Sequence, residues 1–178
     1  MTTEIATFAG GCFWCLEGAL NQLRGVHRAV SGYMGGVLNN PTYEAICTGK
    51  TGHAEVVQVE YSPGEIDYTT LLEVFFSLHD PTQLNRQGND VGTQYRSVVF
   101  FHSPAQEAEA RHVIHALGAA YTAPIVTEVS PAQTFWPAEA YHQGYALANP
   151  NQPYCLYVVS PKLAKFRKQH GARLKANA

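Results

Sequence analysis

The apolar positions change period several times along the chain, and each change marks an element. Thr3–Ala9 is apolar and β-branched, which predicts a strand that Gly10-Gly11 ends. Ala19, Leu20 and Leu23 recur at helical spacing and predict a helix from Cys12 to about Leu23. Val26–Tyr33 predicts a second strand, closed by Gly35-Gly36. Polarity alternates over His53–Tyr61: Val57, Val59 and Tyr61 share one face, Gln58 and Glu60 the other. Asp67 is a fitting N-cap for a heavily buried helix over Tyr68–His79, carrying Leu71, Leu72, Phe75, Phe76 and Leu78. Ser97–His102 predicts a strand; Ser103, Pro104 and Gln106 then form a capping-box start to a helix ending near Leu117-Gly118. Beyond it the pattern predicts a strand over Pro124–Ser130, a helix over Pro137–Ala148, a short strand over Tyr154–Val159 and a last helix over Lys162–His170.

The first six elements run strand, helix, strand, strand, helix, strand. That order predicts an α+β fold: a ferredoxin-like two-layer α/β sandwich with a split βαβ core, both helices on one face, and C-terminal additions. With no repeat, no low-complexity segment and no long linker, residues 1–178 are expected to form a single catalytic domain, 161–178 being a basic C-terminal helix and tail. Two stretches, Gly32–Gly52 and Asp80–Arg96, are rich in Gly, Asn and Pro and too long for plain connections. Loops beyond about 12–15 residues in a compact domain are usually functional or disordered, and the tyrosines here favour function.

Composition narrows the class. Of 178 residues, 46% are apolar and 15% charged, which argues against a disordered or coiled-coil chain. A formal charge of −2 gives no sign of a nucleic acid or an anionic membrane as partner. The charge is uneven: residues 1–160 hold 6 Lys/Arg against 14 Asp/Glu, whereas 161–178 hold 6 Lys/Arg and no acid. A solvated last helix explains that tail. No run approaches the roughly 18 apolar residues of a membrane span. Ile5–Leu16 lacks the basic flank and small-residue cleavage site of a signal peptide. A cytoplasmic protein is therefore expected, a monomer with reduced thiols. Its four cysteines, Cys12, Cys15, Cys47 and Cys155, are then inert core residues, metal ligands or redox groups.

The strongest chemical signal is Gly10-Gly11-Cys12-Phe13-Trp14-Cys15, where a strand turns into a helix. Gly-Gly permits a tight turn and the close approach of another molecule. Cys12 is expected in the first helical turn, among unpaired N–H groups, where a thiol pKa falls and a thiolate becomes available at neutral pH. Phe13 and Trp14 are an apolar wall suited to a small apolar group on a substrate; the alternative is that they, with Cys12 and Cys15, are core. Cys12 and Cys15 lie one helical turn apart, with Cα atoms about 5–6 Å apart and within disulfide reach. Zinc would need a second pair at similar spacing, and Cys47 and Cys155 stand alone. Glu55 shares strand parity with Val57, Val59 and Tyr61. On that row it is either a buried carboxyl with a raised pKa, a proton donor near pH 7, or a strand-end residue reaching solvent. Tyr43 and Tyr95 sit in the two irregular loops with Asp90 near the second; their hydroxyls suit a polar oxygen in a dry pocket, or they simply pack. The eight histidines show neither metal nor triad spacing, and no direct role is expected of His142.

Gly10-Gly11-Cys12-Phe13-Trp14 resembles the active-site signature of the type A peptide methionine sulfoxide reductases. The likeness continues through Ser31-Gly32-Tyr33, Pro41-Thr42-Tyr43, Gly52-His53-Ala54-Glu55, His79-Asp80-Pro81-Thr82, Arg86–Asp90, Gly92–Ser97 and Tyr141-His142-Gln143, covering roughly residues 4 to 155. The resemblance implies thiol-dependent reduction of S-methionine sulfoxide, free or in oxidised proteins. Cys12 matches the nucleophile and Glu55 the acid that protonates the sulfoxide oxygen. Tyr43 and Tyr95 match the groups that hydrogen-bond that oxygen, Phe13 and Trp14 the walls around the methyl group, and Asp90 a substrate-binding position. The resemblance also implies a Cys12 sulfenic acid, an intramolecular disulfide, and thioredoxin, or dithiothreitol in vitro, as external reductant, with no bound metal, flavin or nicotinamide. The chain departs from many relatives in carrying Cys15 and in lacking a Gly-rich tail with resolving cysteines. Cys155 roughly aligns with the first of those, but the strand-like run Leu156–Val159 after it favours a buried, inert thiol. Cys15 is the candidate resolver by proximity and Cys47 the runner-up. Two other readings stay open: a general thiol–disulfide oxidoreductase using Cys12 and Cys15 as a dithiol, and a non-enzymatic module that binds exposed methionine.

Overall fold

The computed structural model describes residues 2–176. Residue 1 and the last two residues of the basic tail, 177 and 178, lie outside the described residues. The elements in chain order are β1 (Glu4–Ala9), α1 (Phe13–Leu20), β2 (Val26–Met34), α2 (Tyr43–Cys47), β3 (Ala54–Tyr61), α3 (Tyr68–Ser77), β4 (Arg86–Gln87), β5 (Asp90–Val91), β6 (Val98–Phe101), α4 (Pro104–Leu117), β7 (Glu128–Pro131), β8 (Trp136–Pro137), α5 (Tyr145–Ala148) and α6 (Ser160–His170). The fold is a mixed α/β one with a mostly antiparallel sheet. Among the described residues six strands stand in the order β7-β6-β1-β3-β2-β8, and of their pairs only β6–β7 is parallel. β4 and β5 form a separate two-residue hairpin.

The sheet has two buried faces because its strands alternate between two cores. Phe8, Tyr33, Val57, Val59, Tyr61 and Val99 face α1, α3, α4 and α6. Ala9, Met34, Ala54, Val56, Val98 and Phe100 face the other way, under Ala132 and Phe135. Register places Phe8 opposite Val57 and Tyr33 opposite Glu55, so Glu55 belongs to the helix-covered face. The helix starts are capped as their sequences require: Asp67 Oδ1 accepts from Thr70 N–H at 2.7 Å, and Ser103 Oγ accepts from Gln106 N–H at 3.2 Å.

Three expectations past residue 120 fail for identifiable reasons. The strand over Pro124–Ser130 is shortened to Glu128–Pro131, because Val126 N–H bonds Pro81 carbonyl rather than the sheet. The helix over Pro137–Ala148 is replaced by an edge strand at Trp136–Pro137, a 3₁₀ turn at Ala140–His142 and the four-residue α5. Gly144 at φ +66° breaks the helix, and the Gln143 side chain is spent on both backbone groups of Ser31. The strand over Tyr154–Val159 is a π-helical turn, Cys155–Val159, that runs straight into α6. Cys155, Val159 and Phe166 face the core while Leu156 and Tyr157 face solvent, a helical spacing that wins over the β-branched composition.

His79, just past α3, is a buried, neutral ring. Its Nδ1 bonds Phe75 carbonyl at 2.9 Å and its Nε2 bonds Ser97 Oγ at 2.8 Å. Burial pushes its pKa down to about 4. The unfolded chain therefore takes up this proton near pH 6.5 and the folded chain only near 4, so stability falls as pH drops through that window. The expected loss is about 2–3 kcal/mol by pH 4.5. Urea unfolding of the unmodified chain and of His79→Gln at pH 7 and 4.5 checks it: the variant should be the less pH-sensitive by that amount, and equal slopes would remove His79 from the account.

Candidate active site

The site is built on the β1–α1 turn. Gly11 sits at φ +85°, and a Cβ there would lie 2.8 Å from Gln87 Cγ. A Cβ on Gly10 would lie 2.9 Å from Phe75 Cε1 and 3.0 Å from His79 Cγ. The close approach expected of another molecule is thus made by the chain itself: α3 and the Asp80–Arg96 loop press on the turn. Cys12 is the N-cap of α1, in extended backbone (φ −64°, ψ 126°), one residue before the helical turn expected for it.

The expectation of a ready Cys12 thiolate is corrected. Trp14 N–H points at the Cys12 sulfur and favours the anion, but burial, donation of its S–H to Cys15 and the nearby Glu55 charge raise the Cys12 pKa well above the ordinary thiol value. Cys15 moves the other way. The bond from Cys12 lowers its pKa, helped by the charge of Lys162 and opposed by burial. The turn therefore holds two free thiols, Cys12 partly exposed and Cys15 buried, whose pKa values are shifted in opposite directions.

Glu55 is 1% exposed, which decides the question its strand parity left open. Its Oε1 accepts Phe13 N–H at 3.2 Å, one of the free donors of the helix start. Burial outweighs that bond and pushes the carboxyl up to about 8, with Asp90 and Cys15 adding to the rise. At neutral pH it is a protonated acid beside a thiol.

Tyr43 opens α2, a helix capped by Thr42, whose side chain accepts from Ala45 N–H. Tyr95 ends the 3₁₀ turn Thr93–Tyr95. Burial and the Glu55 charge raise both phenols, and Tyr95 also feels Asp90 and Cys12, so both stay protonated donors. The loops expected to be functional thus bring Tyr43, Tyr95 and Asp90 into the field of Glu55. Asp90 Oδ2 accepts Tyr154 O–H at 2.5 Å.

Phe13 is fully covered, with Tyr33 at 5.7 Å and the His142 ring at 5.2 Å between centroids. Trp14 is the partly open member of the wall. It stacks on Tyr145 at 4.0 Å, meets Tyr154 edge-on at 5.8 Å, and donates its Nε1–H to His142 Nδ1 at 3.0 Å.

The family profile described as Peptide methionine sulfoxide reductase matches residues 4–174. The chain belongs to the peptide methionine sulfoxide reductase family. It is 55% identical over 179 residues to the "Peptide methionine sulfoxide reductase MsrA" of Ralstonia nicotianae, covering 97% of this chain and 94% of that protein. Among solved structures it resembles Mxr1 from Saccharomyces cerevisiae in reduced form, with a TM-score of 0.80, 36% identity, and 84% of this chain and 87% of that one covered. It also resembles Mxr1 in complex with Trx2, with a TM-score of 0.57, 28% identity, and 80% and 84% coverage.

In this reductase the structure also brings together residues that periodicity missed. His142 is fully buried at the hub of Phe13, Trp14, Tyr43, Tyr141 and Tyr145. Tyr145 and Tyr154 complete the Trp14 side. Glu139 was not a candidate, and it binds Tyr33 and Tyr43. The clue was the density of aromatic residues from Phe135 to Tyr157, which a helix-and-strand reading passes over. The remaining cysteines divide. Cys155 is buried in one cluster with Cys15, Val159 and Trp14, whereas Cys47 is exposed at the end of α2.

Proposed function

We propose that this reductase converts the S epimer of methionine sulfoxide, free or in oxidised proteins, to methionine. The observation that carries the reading is a buried carboxyl, Glu55, that accepts the backbone N–H of Phe13, the residue next to Cys12 on the helix turn that carries both thiols. Reducing a sulfoxide requires an acid for the departing oxygen and a nucleophile for sulfur. Cys12 Sγ attacks the sulfoxide sulfur, while Glu55, with Tyr43 and Tyr95, donates to the oxygen. While Glu55 holds its proton it exerts no repulsion on Cys12, so forming the thiolate costs less than it would beside an ionised Glu55. The S–H proton of Cys12 replaces the one Glu55 gives up, and no net proton is consumed. Methionine leaves, and Cys12 becomes a sulfenic acid, oxidised by the two electrons that reduced the substrate. Trp14, backed by Phe13, receives the methyl group, and Asp90 holds the substrate backbone side.

Cys15 is the resolving thiol in this reading. Its sulfur displaces hydroxide from Cys12–SOH, water leaves, and a Cys12–Cys15 disulfide forms. The position of the two free thiols on one turn of α1 and the lowering of the Cys15 pKa by Cys12 support it. Thioredoxin then attacks Cys12, the more exposed sulfur, and Cys15 departs, which its lowered pKa favours. The complex of the related Mxr1 with Trx2 supports that partner. The same account treats the chain as one catalytic domain, monomeric and cytoplasmic, and its fold as ferredoxin-like on the strand order β6-β1-β3-β2.

The thiol pair also favours a general dithiol oxidoreductase, and one variant separates the two. Cys15→Ser is expected to release about one methionine per chain in a single turnover and then stall, with a sulfenic acid that dimedone captures. Complete loss of methionine in Cys15→Ser would favour the dithiol reading. A full second thiol loss in that variant would move the resolving role to Cys155 or Cys47.

A further inference from the structure

The proposed chemistry needs Tyr43 and Glu55 to address the same oxygen, yet they sit on unlike supports. Glu55 is fixed in the centre of the sheet. Tyr43 stands at the start of a five-residue helix within the long Gly35–His53 excursion. That excursion is tied back mainly through His53, whose Nδ1 accepts Gly36 N–H and whose Nε2 bonds Leu38 carbonyl, and through Val37 N–H to Thr51 carbonyl. These ties hold its first and last residues, Thr93 Oγ1 holds Gly49 carbonyl, and Ile46 anchors the middle of α2 in the helix-covered core, which leaves the first residue of the helix, Tyr43, to be placed by a further link.

Glu139 supplies that link. One carboxylate oxygen accepts Tyr33 O–H at 3.0 Å and the other accepts the backbone N–H of Tyr43 at 2.9 Å. Tyr33 is fully buried and directly opposite Glu55 in the β2–β3 register. Three residues after Glu139, the His142 ring packs on the Tyr43 ring at 4.4 Å. Two donors converge on this one side chain, and a carboxylate can accept from both at once. Ala cannot accept from either. Gln keeps the Tyr43 bond through its oxygen and can donate its amide to Tyr33 if that hydroxyl turns.

We infer that Glu139 is a positioning residue for the reaction, coupling the strand pair that carries Glu55 to the helix that carries Tyr43. The inference rests on the functional reading above. It makes no contact with substrate necessary: Glu139 acts through the placement of the Tyr43 hydroxyl, and displacement of a positioned donor by about 1 Å can cost 10²-fold in rate.

A double-mutant cycle in the full chain tests it, with single-turnover methionine formation and substrate affinity as readouts. Glu139→Ala is expected to slow methionine formation by roughly 10–100-fold, with substrate affinity changed less than about threefold. Glu139→Gln should recover most of that rate. In a Tyr43→Phe background, where the hydroxyl is already gone, Glu139→Ala should cost less than about threefold. An equal cost in both backgrounds would overturn the inference, as would a loss confined to affinity or an unaltered rate in Tyr43→Phe. Should Glu139→Ala fail to fold, Tyr33→Phe, which removes one of the two bonds to Glu139, is run through the same cycle with the same criterion. An unmodified chain that makes no methionine fails the functional reading itself and takes the inference with it; an active chain with an additive cycle fails the inference alone.

Discussion

Cys12→Ser is expected to abolish methionine formation, with a loss of about 10⁴-fold or more relative to the unmodified chain. The reason lies in what sulfur does at that position. Cys12 is the partly exposed member of the thiol pair, at the mouth of a site whose acid, Glu55, is already protonated at neutral pH. A serine hydroxyl can still donate to Cys15 and occupies less volume, so the fold should tolerate it. It cannot be ionised in this buried setting, it attacks a sulfoxide sulfur poorly, and it cannot store two electrons as a sulfenic acid. Single-turnover assays with thermal unfolding of the same sample check both halves. A chain that is inactive and stable fits the account. A chain that retains more than a few per cent of methionine formation places the nucleophile elsewhere, with Cys15 and Cys47 the next to test.

Glu55→Gln is expected to slow the chemical step by roughly 10²–10⁴-fold, the usual contribution of a positioned acid. It should also make the protein more stable. The folded carboxyl keeps its proton to about pH 8, whereas in the unfolded chain it loses the proton near pH 4.3. Between those values the unfolded state gains by ionising and the folded state cannot follow, so stability falls as pH rises, by roughly 3.5 kcal/mol at pH 7. Gln keeps the acceptor for Phe13 N–H and carries no charge to desolvate. Urea unfolding at pH 5 and 7.5 should show the variant gaining stability relative to the unmodified chain as pH rises. The rate of methionine formation in the unmodified chain should fall above pH 8, and that decline should vanish in the variant. Unchanged turnover, or a variant that loses stability at pH 7.5, would remove Glu55 from the acid's role. An activity loss paired with a stability gain is what a group retained for chemistry rather than for folding produces.

Much of this was legible in the chain. The first six elements follow from periodicity because each buries one continuous stripe or one alternating row. Glu55 stood out for the same reason, as an acid on an apolar row. The turn at Gly10-Gly11-Cys12 was recognisable, but its electrostatics were not. A helix start lowers a thiol pKa only while burial and a neighbouring acid do not outweigh it, and here they do. The part after residue 120 was misread because its segments are placed by long-range ties. Gln143 binds Ser31, Val126 binds Pro81, and Glu139 binds Tyr33 and Tyr43, none of which has a local signature. Cys155–Val159 illustrates the conflict of signals. Its composition says strand, while the spacing of Cys155, Val159 and Leu163 says helix, and packing against Cys15 and Trp14 decided for the spacing. His142 was set aside for lack of metal or triad spacing, yet its role is that of a buried acceptor and stacking surface, which spacing rules do not describe.

The central claim is that this chain reduces a sulfoxide with its own two thiols, and a stoichiometric count tests it most directly. Fully reduced enzyme is mixed with excess S-methionine sulfoxide and no external reductant, and methionine formed and thiols lost are measured per chain. The expected result is about one methionine and two thiols, with the disulfide mapped to Cys12 and Cys15. No methionine and four intact thiols would contradict the account outright.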